Sequence, residues 1–126
     1  MRNFLQKRIE AFGYAFQGWG YVLRTQRNAW IHALASVAVF ILAAWLRLTR
    51  IEWAILVLCV ALVWGAEMIN TALETIVDLA SPAQHPLAKI GKDVGAAAVL
   101  VSAFTSVVIG LLILGPPLLA RLNLSF

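Results

Sequence analysis

A charge-free apolar run from Ala54 to Ala66 leads straight into Glu67-Met68-Ile69-Asn70-Thr71-Ala72-Leu73-Glu74-Thr75-Ile76-Val77-Asp78. The chain has six acidic residues, and three of them fall in this stretch. Carboxylates at the mouth of a membrane-type segment cost free energy, so they mark function. At ~100° per residue in a helix, Asn70, Glu74 and Asp78 lie at about −60°, −20° and +20° from Glu67, and Thr71 at about +40°. The five side chains share one stripe roughly 100° wide. Met68, Ile69, Leu73, Ile76 and Val77 largely cover the other sides. The stripe reads as the reactive face of a membrane enzyme.

The rest of the chain follows the same logic. With 62% hydrophobic and 13% charged residues in 126, it is far more apolar than a soluble domain. It reads as one integral membrane domain over 1–126, too short for a large self-contained transporter. Such a small chain builds a pocket most readily between copies, which points to a homo-oligomer. The net charge of +4 is dispersed, with no Lys/Arg block, so it suits anionic headgroups rather than nucleic acid. Cys59, the single cysteine, sits in an apolar run and can form neither an intrachain disulfide nor a thiolate metal cluster.

In residues 1–25, Leu5, Ile9, Phe12, Phe16, Trp19 and Leu23 recur at helical spacing opposite Arg2, Gln6, Lys7, Glu10 and Gln17. This predicts an amphipathic interfacial helix rather than a signal peptide. Gly13, Gly18 and Gly20 weaken it as a helix and offer close approach to another helix or a ligand. Lys7 and Tyr14 share its polar side and can reach a phosphate-bearing ligand. After the polar break at Arg24–Asn28, membrane helices are expected over 29–46, 53–79 and 89–114. His32 is placed either as a catalytic group or as a hydrogen-bonding group near the interface. Trp45 and Trp53 flank the charged turn between the first two spans, as in an aromatic belt. Ser81-Pro82 ends the second membrane helix, and Gly115-Pro116-Pro117 is expected to stop the third, leaving an interfacial tail. The fold class is therefore an all-α membrane protein, three transmembrane helices plus an N-terminal amphipathic helix.

With three spans, the N-terminal segment and the second loop share a side, and together they carry seven of the ten basic residues. That side is expected to be cytoplasmic, so Glu67–Asp93 faces the compartment holding ATP. Hard-cation acceptors and phosphate-binding cations gather there: Glu67, Asn70, Glu74, Asp78, His85, Lys89, Lys92 and Asp93. Mg²⁺ is held by one or two carboxylates plus substrate phosphates, and Glu74 suits that role. Glu67, ~10 Å deeper along the helix, suits a general base acting on a hydroxyl at headgroup level. Lys92 can neutralise a transferring phosphoryl group. The alternative is a salt-bridged helix end with Lys89 and Lys92 as partners. No Walker or protein-kinase signature is present.

Glu67 to Asp78 resembles the signature of the small prokaryotic diacylglycerol kinase family, E-x-[LIVM]-N-[ST]-[SA]-[LIV]-E-x-x-V-D, at every specified position. His85-Pro86-Leu87-Ala88-Lys89 with Lys92-Asp93 resembles that family's second block, and the resemblance runs from about Lys7 to about Leu114. It implies a homotrimer in the bacterial plasma membrane, with sites between subunits and the N-terminus and active site cytoplasmic. It implies Mg²⁺- and ATP-dependent phosphorylation of a membrane lipid alcohol. By motif match, Glu67 resembles the general base and Glu74 a metal ligand. Asn70, Lys92 and Asp93 match active-site positions, the last two in the nucleotide-contacting block. Lys7 and Tyr14 fall where the family meets nucleotide or substrate, and the Gln84-His85 loop resembles the segment that borders the nucleotide. Gln26 stands where many members carry a metal-binding glutamate, which weakens that ligand. Ala96 replaces a serine of the diacylglycerol-specific type, and Arg27-Asn28-x-x-Ile31-His32 resembles members acting on undecaprenol. An undecaprenol acceptor is expected ahead of diacylglycerol, whose product would be phosphatidic acid. A non-enzymatic membrane assembly or channel-like subunit is the alternative of another class.

Overall fold

The computed structural model describes residues 3–83 and 85–122. Arg2, Gln84 and the last residues of the expected tail lie outside them. Four helices follow in order: α1 (Phe4–Thr25), α2 (Arg27–Leu46), α3 (Arg50–Ala80) and α4 (Pro86–Arg121). The last three are each long and apolar enough to cross a membrane. This gives the expected all-α architecture of three spans with an additional N-terminal helix.

The connections are short and chemically specified. Gln26 alone separates α1 from α2, in an extended conformation, and its backbone N–H donates to the Val22 carbonyl. Arg47 closes α2 in the left-handed region at φ 57°. Thr49 then starts α3 with a reciprocal cap: its backbone N–H donates to Glu52 Oε2 at 2.7 Å, and its Oγ1 accepts from the Glu52 N–H at 3.4 Å. Pro82 follows just after α3, and His85 opens α4 by accepting the Leu87 N–H on Nδ1 at 3.2 Å. Pro86 sits in the first turn, where its missing N–H costs nothing.

Two expectations change. Gly115-Pro116-Pro117 does not stop the last helix, because α4 runs on to Arg121 and takes in the start of the expected tail. The prolines remove two ladder hydrogen bonds, but membrane helices tolerate this where neighbours hold the segment. Here Arg121 Nη1 donates to the Trp45 carbonyl at 2.8 Å, and its guanidinium lies 4.6 Å from the Trp45 ring centroid. Gly13, Gly18 and Gly20 do not interrupt α1, and a side chain at any of them would meet open space rather than a neighbouring helix of the same chain.

α3 and α4 pack along each other, with α2 laid against both and α1 touching only the site end of α2 and α3. Few side chains are buried. Ala43, Leu46, Leu56 and Leu114 form one cluster at the far end. Val22, Ala29 and Trp64 form another where α1 docks, with the Trp19 and Trp64 rings 4.5 Å apart. Cys59 is buried in packing. Leu5, Ile9, Phe12 and Phe16 on α1, and Leu58, Leu62 and Ile69 on α3, remain exposed. Lipid or further copies must cover such surface.

Candidate functional site

The acidic stripe faces inward. Glu67 is 2% exposed, Asn70 7% and Thr71 3%. Thr71 returns its hydroxyl to the Glu67 carbonyl at 2.8 Å, as Thr75 does to the Thr71 carbonyl, so neither competes for the carboxylates. Glu74, half-buried one turn beyond Asn70, accepts two amide donors. Asn70 Nδ2 reaches its Oε1 at 3.1 Å, and Gln26 Nε2 reaches its Oε2 at 3.1 Å. Asn70 thus orients Glu74. Among the described residues the Glu67 carboxylate accepts no hydrogen bond, and neither Glu67 nor Glu74 forms an ion pair.

Asn70 Oδ1 is buried without a hydrogen-bond partner. It lies against Gly95 of α4, so closely that a Cβ at residue 95 would collide with it. Only a residue without a side chain lets α4 approach this amide, and Asn70 is pinned with its nitrogen towards Glu74.

Gln26, His32, Glu67, Asn70, Glu74 and Ala96 line one cleft of about 430 Å³, together with Asn28 and Ile31. Asn28, Ile31 and His32 of the Arg27–His32 pattern therefore border the same space as Glu67 and Glu74. The basic residues lie elsewhere. His85, Lys89, Lys92 and Asp93 line a second cleft of about 760 Å³ at the α3–α4 turn, with Asp78. Lys92 Nζ donates to Asp78 at 2.9 and 3.2 Å. Lys89 pairs with Asp93 on its own helix, not with the stripe. The salt-bridged reading thus holds for Asp78 and fails for Glu67 and Glu74.

Lys7 and Tyr14 are exposed on α1 and line neither cleft of their own chain. Gln84 lies outside the described residues. Sequence reasoning missed Trp64, whose indole donates to Ser36 Oγ at 3.3 Å while Ser36 donates to the His32 carbonyl at 2.7 Å. Its signal was present, since Trp64 stands three residues before Glu67 on the same helical face.

No group of three or more carboxylate, imidazole or thiol ligands occurs among the described residues. Mg²⁺ does not need one, because substrate phosphates supply much of its shell. The donor set fits such an ion: Glu74 forms no ion pair among the described residues, and a turned Gln26 amide presents an oxygen beside it.

A helical bundle of three membrane-length spans with a buried carboxylate in its interior suits a small multi-pass membrane enzyme. Residues 13–114 match the family described as prokaryotic diacylglycerol kinase, and the chain belongs to that family. It is similar to an undecaprenol kinase of Bacillus subtilis, at 43% identity over 93% of this chain and 95% of that one. It is 46% identical to a diacylglycerol kinase of Synechocystis over 89% of this chain and 65% of the relative. A diacylglycerol kinase of Escherichia coli is 35% identical over 79% of this chain and 82% of its own. The protein is a kinase, a phosphotransferase acting on a membrane lipid alcohol, rather than a channel-like subunit.

Proposed function

We propose that the protein transfers the γ-phosphoryl group of Mg-ATP to the hydroxyl of undecaprenol at the cytoplasmic face of the bacterial inner membrane. The observation that carries the reading is the single cleft in which the buried Glu67 meets the Asn28, Ile31 and His32 wall. In this reading Glu67 takes the hydroxyl proton. Its carboxylate is free of hydrogen bonds among the described residues, and a base needs that lone pair. Asn70 holds Glu74, and Glu74 with the Gln26 oxygen would hold Mg²⁺. When bound, that ion supplies charge neutralisation for the phosphates. Lys92 and Asp93, with His85 and its sequence neighbour Gln84, take the nucleotide. Ala96 borders the acceptor.

A homotrimer completes the site. Lys7 and Tyr14 line neither of these two clefts in their own chain, and the exposed α3 face carrying Leu58, Leu62 and Ile69 is a surface for a second copy. In the trimer a neighbour's surface helix brings these two residues to the nucleotide. The basic residues, cytoplasmic by the distribution of charge, put the clefts on the ATP side. Diacylglycerol as acceptor, giving phosphatidic acid, is the second reading, and the identity with the Synechocystis diacylglycerol kinase favours it.

The test is a side-by-side phosphorylation assay of the purified protein with Mg-ATP and either undecaprenol or diacylglycerol. A higher kcat/KM for undecaprenol is expected. Preference for diacylglycerol transfers the proposal to the second reading.

A further inference from the structure

A third concavity, apart from the two clefts, runs down the bundle. It is a groove of about 340 Å³ formed by one stripe each of α2, α3 and α4. It shares His32 and Ala103 with the carboxylate cleft and extends to Leu42 on α2 and Leu118 on α4. From Ala103 to Leu118 the helix rises ~22 Å, most of a ~30 Å hydrocarbon core. Apart from His32 at the cleft end, its hydroxyl groups are already engaged within the protein. Ser36 bonds Trp64 and the His32 carbonyl, and Ser106 donates to the Cys59 carbonyl at 3.2 Å. Beyond His32 the wall therefore asks for nothing polar. Gly110 and Gly115 leave it open, for a Cβ at either would meet no atom within 4 Å.

We propose that this groove is the tail subsite for a single-chain polyisoprenoid alcohol, whose hydroxyl end lies in the cleft at Glu67. The inference rests on the kinase reading above and adds how the acceptor is chosen. A hydroxyl can reach a carboxylate as buried as Glu67 only if the tail behind it leaves the cleft along an apolar path. The groove supplies that path on the His32 side. The other hollow touching the cleft, about 370 Å³ along Leu62 and Ile69, shares only Asn70 with it, and Asn70 is packed against Gly95. The groove thus offers one tail a continuous apolar path from the cleft, and the neighbouring hollow offers a second tail no comparable continuation. Selection thus acts along the chain length, far from the phosphoryl transfer.

The experiment uses the full-length protein in lipid nanodiscs, with undecaprenol and farnesol as long and short single-chain acceptors and dioctanoylglycerol as the two-tailed one. Gly110→Phe fills the groove below the reach of the short tail, and Gly110→Leu fills it more gently should the larger side chain prevent assembly. Leu112→Phe, on the exposed face of the same helix, is the control. The undecaprenol-to-farnesol ratio of kcat/KM should fall about tenfold or more in Gly110→Phe, the scale of a lost apolar subsite. It should fall less in Gly110→Leu and not at all in Leu112→Phe. An unchanged ratio in both Gly110 variants overturns the tail subsite. So does an equal loss on all acceptors with a changed oligomeric state by size exclusion, which would make the groove a contact between copies. A wild type that accepts only dioctanoylglycerol overturns the acceptor reading itself, so the two failures are distinguishable.

Discussion

At the far end of the bundle, Ala43, Leu46, Leu56 and Leu114 meet as an all-apolar cluster. At the site end, the interior positions of the same α3 helix hold Glu67, Asn70 and Thr71. The far end is stabilised by packing alone, and other apolar sets of matched volume would serve there. The site end carries a buried carboxylate with no hydrogen bond among the described residues and an amide oxygen with no partner. Such groups destabilise a fold. One helix thus has a structural half and a half whose cost is offset elsewhere, and buried unsatisfied groups of this kind concentrate at functional sites.

The comparison can be broken most sharply at Glu67. Glu67→Gln should lower turnover by about 10²–10⁴-fold, the range for a lost general base, while the thermal midpoint holds or rises. Survival of turnover in a phosphoryl-transfer assay would remove Glu67 from the proton-transfer role. Next comes Gly95→Val. Its side chain displaces Asn70 from Glu74, and a misplaced site should cost about 10²-fold in kcat with helix content unchanged by circular dichroism. At the structural half the signs reverse. Leu56→Ala should destabilise by about 2–5 kcal/mol in denaturation and leave kcat per folded enzyme unchanged. A kcat loss as large as that of Gly95→Val would erase the distinction between the halves. The smallest effect is expected from Gln26→Glu. Adding a ligand charge beside Glu74 should lower the Mg²⁺ concentration for half-maximal activity severalfold. A metal titration that does not move takes residue 26 out of the metal site.

Local pattern made much of this legible. Apolar runs of membrane length gave the three spans, and the turn of a helix put Glu67, Asn70 and Glu74 on one face. Distant pairings were not legible. The continuation of α4 through Pro116 and Pro117 goes with Arg121 reaching Trp45, 76 residues away. The seat of Gln26 on Glu74 spans 48 residues. The contact of Gly95 with Asn70 depends on the register of α4 against α3, which no local pattern carries. Charge composition named the lysines, and only geometry assigned Lys92 to Asp78 and Lys89 to Asp93.

The one-residue joint between α1 and α2 has a mechanical consequence. Gln26 is both the whole linker and a hydrogen-bond donor to Glu74. α1 cannot roll or lift against the bundle without turning that residue, because no slack exists to absorb the rotation. The attitude of α1 and the freedom of the Glu74 carboxylate are therefore geared together. The Trp19–Trp64 ring contact sits on the same gear train, so tryptophan fluorescence would read its position.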